Sequence, residues 1–172
     1  HPFLWYLWFE WTLPCYLKKI KPDVFVSTDG YLSLGTKTPS LPVIHDLAFV
    51  HHPKDIPFLV NKYYNHYFPK FAKKATRIAT VSNYTKRDLI GQYGVGANKI
   101  DVVFNGASGH FKPLDEKSKE KVKQELTGGS PYFVYVGALH HRKNILNLLK
   151  GFEKFRKEPG CTEKLVIVGR KA

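Results

Sequence analysis

Short apolar runs alternate along this chain with longer segments whose apolar residues recur every three or four positions, and that alternation leaves few architectures open. The runs at 24–26, 41–45, 77–81, 100–104, 132–136 and 164–168 read as strands. The periodic segments at 58–75, 82–93, 116–126 and 144–157 read as helices. Strands that are apolar throughout, rather than on every second residue, suit a sheet covered on both faces. The expected fold class is therefore α/β, with parallel, Rossmann-like sheets in three α/β/α layers.

Local punctuation refines this outline. Residues 4–19 read as a buried helix broken or kinked at Pro14, and Pro69 is expected to kink the 58–75 helix. Residues 45–57, with three of the eight histidines, read as a loop. Ser82 and Asn83 are N-cap candidates for the helix that follows them. Asn105-Gly106 is a pair suited to an abrupt turn through left-handed backbone. Beyond it the composition changes, so the chain is expected to divide into residues 1–105, a connector at 106–115, and a second domain at 116–172. The absence of Met, the bulky His1 and a final strand without a following helix read as a piece missing both natural ends.

Composition narrows the function classes. With 12 Phe, 10 Tyr and 3 Trp in 172 residues, the chain has ample material for a packed core. The net charge of +13 invites an anionic partner, either nucleic acid, an anionic membrane or a phosphorylated small molecule. The excess is spread, with 14 Lys and Arg against 7 acids up to residue 112 and 13 against 7 beyond it, which argues against a nucleic-acid-binding arm. Lys70, Lys73, Lys74 and Arg77 form the densest basic stretch and read as a solvated helix face or a lipid-facing patch. The opening HPFLWYLWFEW is too short to span a bilayer; burial against a sheet explains its aromatic density, as does a place at a membrane interface. Cys15 and Cys161 lack metal-type spacing, as do the adjacent pairs His51-His52 and His140-His141, so no metal site is expected.

In parallel sheets, ligands bind beyond the carboxyl ends of strands. Four such places carry polar residues: Ser27-Thr28-Asp29, His45-Asp46, Ser82-Asn83 and the segment 137–144. In the last, Gly137 follows an apolar strand, and Arg142, Lys143 and Asn144 precede a helix. Helix amides, a dipole and two cations there suit a diphosphate, although on spacing alone the two side chains could equally face solvent. His45 could orient a sugar hydroxyl or polarise a reacting group, but a lone histidine is more often structural, and Asp46 is most simply a turn acceptor. No dinucleotide, P-loop, serine-hydrolase or zinc-protease signature is present.

Four segments together, HDLAFVHHP at 45–53, ATVSNYTKRDL at 79–89, VVFNG at 102–106 and YVGALHHRKNILNLLKGF at 135–152, resemble the group-4 retaining glycosyltransferases of the two-lobed GT-B type. The resemblance implies parts of two GT-B lobes: the later half of the acceptor lobe at 1–105 and the start of the nucleotide-sugar lobe at 116–172. It implies that Gly137, Arg142, Lys143 and Asn144 hold the donor diphosphate. It implies catalytic positions for His45 and Asp46, with Ser82 and Asn105 lining the cleft. Many members place Arg directly after the glycine that corresponds to Gly137; here Ala138 follows and the arginine is at 142, as in a subset associated with mannosyl transfer. The glycine-rich loop and the Glu-x7-Glu segment of the family are not found in these residues.

The expected activity is transfer of a hexose, mannose favoured, from a GDP- or UDP-sugar to a glycan or lipid-linked acceptor in polysaccharide synthesis, without a resident cofactor or metal. Cytoplasmic placement with peripheral contact at the inner membrane face, no nucleic acid, and self-association of a piece inactive by itself are expected with it. Two other readings stand beside it: a GT-B-fold sugar-nucleotide epimerase, and a basic module binding nucleic acid or membrane.

Overall fold

A computed structural model describes residues 2–170, in two compact units, His1–Gly106 and Ala107–Ala172. The first holds α1 (Pro2–Leu7), a π-helical stretch (Trp8–Thr12), α2 (Leu13–Ile20), β1 (Phe25–Ser27), β2 (Ser40–Ile44), α3 (Ala48–His51), α4 (Phe58–Lys74), β3 (Ile78–Thr80), α5 (Asn83–Tyr93) and β4 (Ile100–Val102), with 3-10 turns at Pro53–Asp55 and Ala97–Lys99. Its strands form one parallel sheet in the order β1-β2-β3-β4, with Phe25 opposite Ser40, Val43 opposite Ala79 and Ile78 opposite Ile100. The parallel α/β class follows from the sequence pattern as expected. All of β3 is buried, and Ile44, Phe71, Ala72, Leu89 and Ile100 close the core around it.

The proline positions act differently from one another. Ahead of Pro14 the helix widens: the Leu13 amide donates to the Trp8 carbonyl five residues back. Proline has no N–H and its ring crowds the carbonyl four residues earlier, so a π-turn absorbs the misfit and helical backbone continues to Ile20. Across Pro69, α4 continues as one element, because Tyr63, Phe68, Phe71 and Ala72 bury one face and offset the lost hydrogen bond.

Two local expectations are corrected. Residues 45–57 are not plain loop, since α3 and a 3-10 turn lie within them, started by the Asp46 Oδ1 atom accepting the Ala48 amide at 2.9 Å. Asn105-Gly106 does not take left-handed backbone; the non-glycine residues that do, among those described, are Lys21 and Asn144.

The second unit contains α6 (Glu116–Thr127), β5 (Tyr132–Val136), a 3-10 turn (His141–Lys143), α7 (Ile145–Phe155) and β6 (Lys164–Val168). Asp115 caps α6 by accepting the Ser118 amide at 2.8 Å, and left-handed Gly128 ends it. β5 and β6 pair in parallel from Tyr132–Lys164 to Val136–Val168. Phe133, Val134 and Val136 are each more than half exposed, because among the described residues two strands and α7 screen only part of the apolar surface.

Candidate functional site

The first unit has a pocket of about 420 Å³ beyond the carboxyl ends of β1 and β2, lined by Asp29, Tyr31, Ile44, His45, Asp46, Phe49, Tyr64 and Phe68. Gly30 lets the chain turn into it, with φ at +78° and the Phe68 ring so near that an added Cβ would come within 3.1 Å. The Tyr31 hydroxyl donates to the Tyr64 hydroxyl at 2.8 Å. Burial, and then that hydrogen bond, push the Tyr31 hydroxyl well above the usual tyrosine range, so it remains protonated. Phe49 stands edge-on to Tyr64 and Phe68, at 5.1 and 5.0 Å between ring centres.

His45 and Asp46 stand on the rim. The His45 Nε2 atom is 2.8 Å from the Thr28 carbonyl, which can only accept, so Nε2 carries a proton and Nδ1 is the ring nitrogen left for a further partner. Asp46 spends Oδ1 on the start of α3. The backbone of His45 is fixed from behind, since its carbonyl accepts the Thr85 hydroxyl at 2.9 Å. Ser82 is the N-cap of α5, its Oγ accepting the Thr85 amide at 3.1 Å, and Asn105 lies on exposed chain beyond β4; neither lines the pocket. An aromatic wall, two carboxylates and an imidazole, with no lysine or arginine among the lining residues, suit a neutral polyhydroxyl ligand better than an anion.

Sequence reasoning had marked Asp29, His45 and Asp46 by their places after apolar runs. It passed over Tyr31 and Tyr64. The spacing of Tyr64 and Phe68, four apart on a helix, was the available signal, but a repeated aromatic at that spacing usually means core alone.

The second unit brings together the other residues singled out. Pairing with β6 continues past the end of β5: the Gly137 amide donates to the Val168 carbonyl at 2.9 Å and the Leu139 amide to the Arg170 carbonyl at 3.0 Å. Gly169 lies directly against the Gly137 carbonyl, where no side chain would fit. The chain then turns through His141–Lys143, with the Lys143 amide donating to the His140 carbonyl at 2.9 Å and the Arg142 amide 3.3 Å from His140 Nδ1. Left-handed Asn144, φ 53°, redirects it into α7. Arg142 and Lys143 are exposed, and neither side chain has a partner among the described residues. The first amides of a helix lack intrahelical acceptors, so two unneutralised cations stand beside the positive end of α7.

The family model described as Glycosyltransferase Family 4 matches residues 1–108. No curated protein matches the sequence. Among solved structures, a glycosyltransferase from Rickettsia africae ESF-5 is similar at 16% identity and a TM-score of 0.49, over 91% of this chain and 49% of that one. The chain thus spans about half the length of that structure.

Proposed function

The chain belongs to Glycosyltransferase Family 4, and from that premise we propose that it serves a retaining, nucleotide-sugar-dependent hexosyltransferase, offering the first unit's pocket to an acceptor sugar and the start of α7 to the donor diphosphate. The favoured donor is a GDP- or UDP-hexose, mannose first, and the favoured acceptor a growing glycan or lipid-linked sugar. The observation that supports the reading most is the Arg142-Lys143 pair, exposed and unneutralised where a glycine-bearing strand end leads into a helix.

In the proposed reaction the bond between the sugar's anomeric carbon and the diphosphate oxygen breaks as the acceptor hydroxyl adds to the same face of an oxocarbenium-like sugar. The acceptor's proton passes to the departing diphosphate. Arg142, Lys143 and the first amides of α7 take up the charge that develops on that leaving group. His45 Nδ1 accepts from a sugar hydroxyl, the aromatic wall of Tyr31, Phe49 and Tyr64 seats an apolar sugar face, and Asp29 accepts from further hydroxyls.

The test is product analysis with the intact transferase, a GDP- or UDP-hexose and a glycan acceptor. A glycosylated product with the donor's anomeric configuration is the expected result. Release of nucleotide with no glycosylated product would replace this reading with the epimerase.

A further inference from the structure

Residues 2–20 form one nearly continuous helical element that is apolar on two sides. Its inner side is occupied: Trp5 stacks on Tyr64 with ring centres 5.8 Å apart, Phe9 stacks on Tyr31 at 5.0 Å, and Leu13 and Leu17 are buried. The outer side carries Leu4, Leu7, Trp8 and Trp11 at spacings of three and four, with Trp8 53% and Trp11 64% exposed. Of the two readings of this aromatic density, burial against a sheet and a place at a membrane interface, burial therefore accounts for only half of the rings. Contiguous exposure of two indoles and two leucines marks a contact surface rather than ordinary solvent-facing helix.

Charge identifies what the surface contacts. Glu10 is the sole acid in this element, and both its carboxylate oxygens accept the Leu34 amide, at 3.0 and 3.1 Å, which turns it from the outer side. The outer stripe is followed by Lys18, Lys19 and Lys21. Beside α2 a second cavity of about 420 Å³ is bordered by Lys18 and Lys37 with Gly35, Thr36 and Thr38, and no acid lines it. No helix among the described residues is long and apolar enough to cross a membrane, so contact with a bilayer would be made along its surface. Indole rings favour the headgroup boundary, leucines the acyl chains just below, and lysines the lipid phosphates. A second copy docked by the same face would set like-charged lysines near one another, and leucines between the indoles suit acyl chains better than nucleic-acid bases.

We propose that the outer face of residues 2–20 docks on an anionic phospholipid bilayer, with Trp8 and Trp11 among the headgroups and Lys18 and Lys37 holding a lipid phosphate. This gives the peripheral membrane contact expected from the sequence a face and its residues, and it does not rest on the transferase reading, because vesicle binding needs no turnover.

The experiment is co-sedimentation of the full 172-residue chain with vesicles of phosphatidylcholine alone or mixed equally with phosphatidylglycerol. The chain is expected to bind the mixed vesicles far more tightly and to be released by salt. Lys18→Gln and Lys37→Gln should each weaken binding about fivefold. The double variant Trp8→Ser/Trp11→Ser should weaken it about tenfold or more while keeping the wild-type circular-dichroism melt, both side chains being over half exposed. Three results would overturn the proposal: no binding by the wild type, equal binding by the tryptophan variant, or a dimer in sedimentation velocity that the tryptophan variant dissolves.

Discussion

The Thr85 hydroxyl donates to the main-chain carbonyl of His45 across 2.9 Å, so the first turn of α5 fixes the residue at the rim of the first unit's pocket. Thr85 is only 2% exposed, and its hydroxyl also meets Ser82 Oγ at 3.0 Å. Thr85→Val keeps the shape and removes the donor, leaving the buried side of that carbonyl short of a partner. The expected loss is about 1–3 kcal/mol of unfolding free energy in urea titrations. A midpoint equal to wild type would show that the hydroxyl holds nothing.

A similar argument applies to glycine in the second unit. A Cβ on Gly169 would strike the carbonyl oxygen and carbon of Gly137, and backbone atoms cannot swing aside as a side-chain tip can. Gly169→Ala should force the strand ends apart and break the bonds from the Gly137 and Leu139 amides to Val168 and Arg170. The expected cost is about 1–3 kcal/mol, with the larger effect in amide exchange at 137 and 139. Unchanged protection at those two amides would mean that the strands separate without strain.

Stability should fall in acid in part through Asp101. The Arg77 guanidinium donates to both its carboxylate oxygens, across 2.5 to 3.0 Å, joining the residue before β3 to β4. That hydrogen bonding holds the Asp101 carboxyl below its usual range. A depressed folded-state value means that the contribution is present above the unfolded pKa, about 4, and is lost as pH falls through the folded one. Asp101→Asn should therefore lower the thermal midpoint at neutral pH, with the difference closing in acid. A difference that stays constant across that range would assign the effect to packing. Both partners are exposed, so added salt should shrink it as well.

The parts of the fold that could be read in the sequence were those carried by local pattern. β5 and β6 occur at 132–136 and 164–168 as expected, since unbroken apolar runs between turn residues have few other uses. Ser82 is the cap its residue type suggested. What escaped depended on distant partners. α3 is a single turn, too short to show periodicity, and forms where Asp46 accepts the Ala48 amide at its start and Phe49 is drawn into the core. Left-handed backbone falls at Asn144 rather than Asn105, since it is the entry to α7 that demands a sharp redirection. Tyr31 and Tyr64 lie 33 residues apart and meet only because α4 packs over the loop after β1, so no spacing rule could pair them.

The proposed diphosphate grip makes the most demanding prediction. Arg142 and Lys143 differ in what they can offer: a guanidinium binds two phosphate oxygens in a fixed fork, whereas an ammonium acts as a point charge. If both face the leaving group, Lys143→Ala in the intact transferase should reduce kcat/KM by about a hundredfold or more, mostly in kcat, since the charge it neutralises is greater in the transition state than in the bound donor. Arg142→Lys should recover only part of what Arg142→Ala loses, because the second phosphate oxygen is left without its donor. Tyr64→Phe serves as a contrast, for Tyr64 lies in the other unit and among the pocket residues assigned to the acceptor. It should raise the acceptor KM and leave that of the nucleotide sugar unchanged. Near-normal kcat in Lys143→Ala, measured at saturating donor, would remove Lys143 from the donor site and leave the pair as solvent-facing charge.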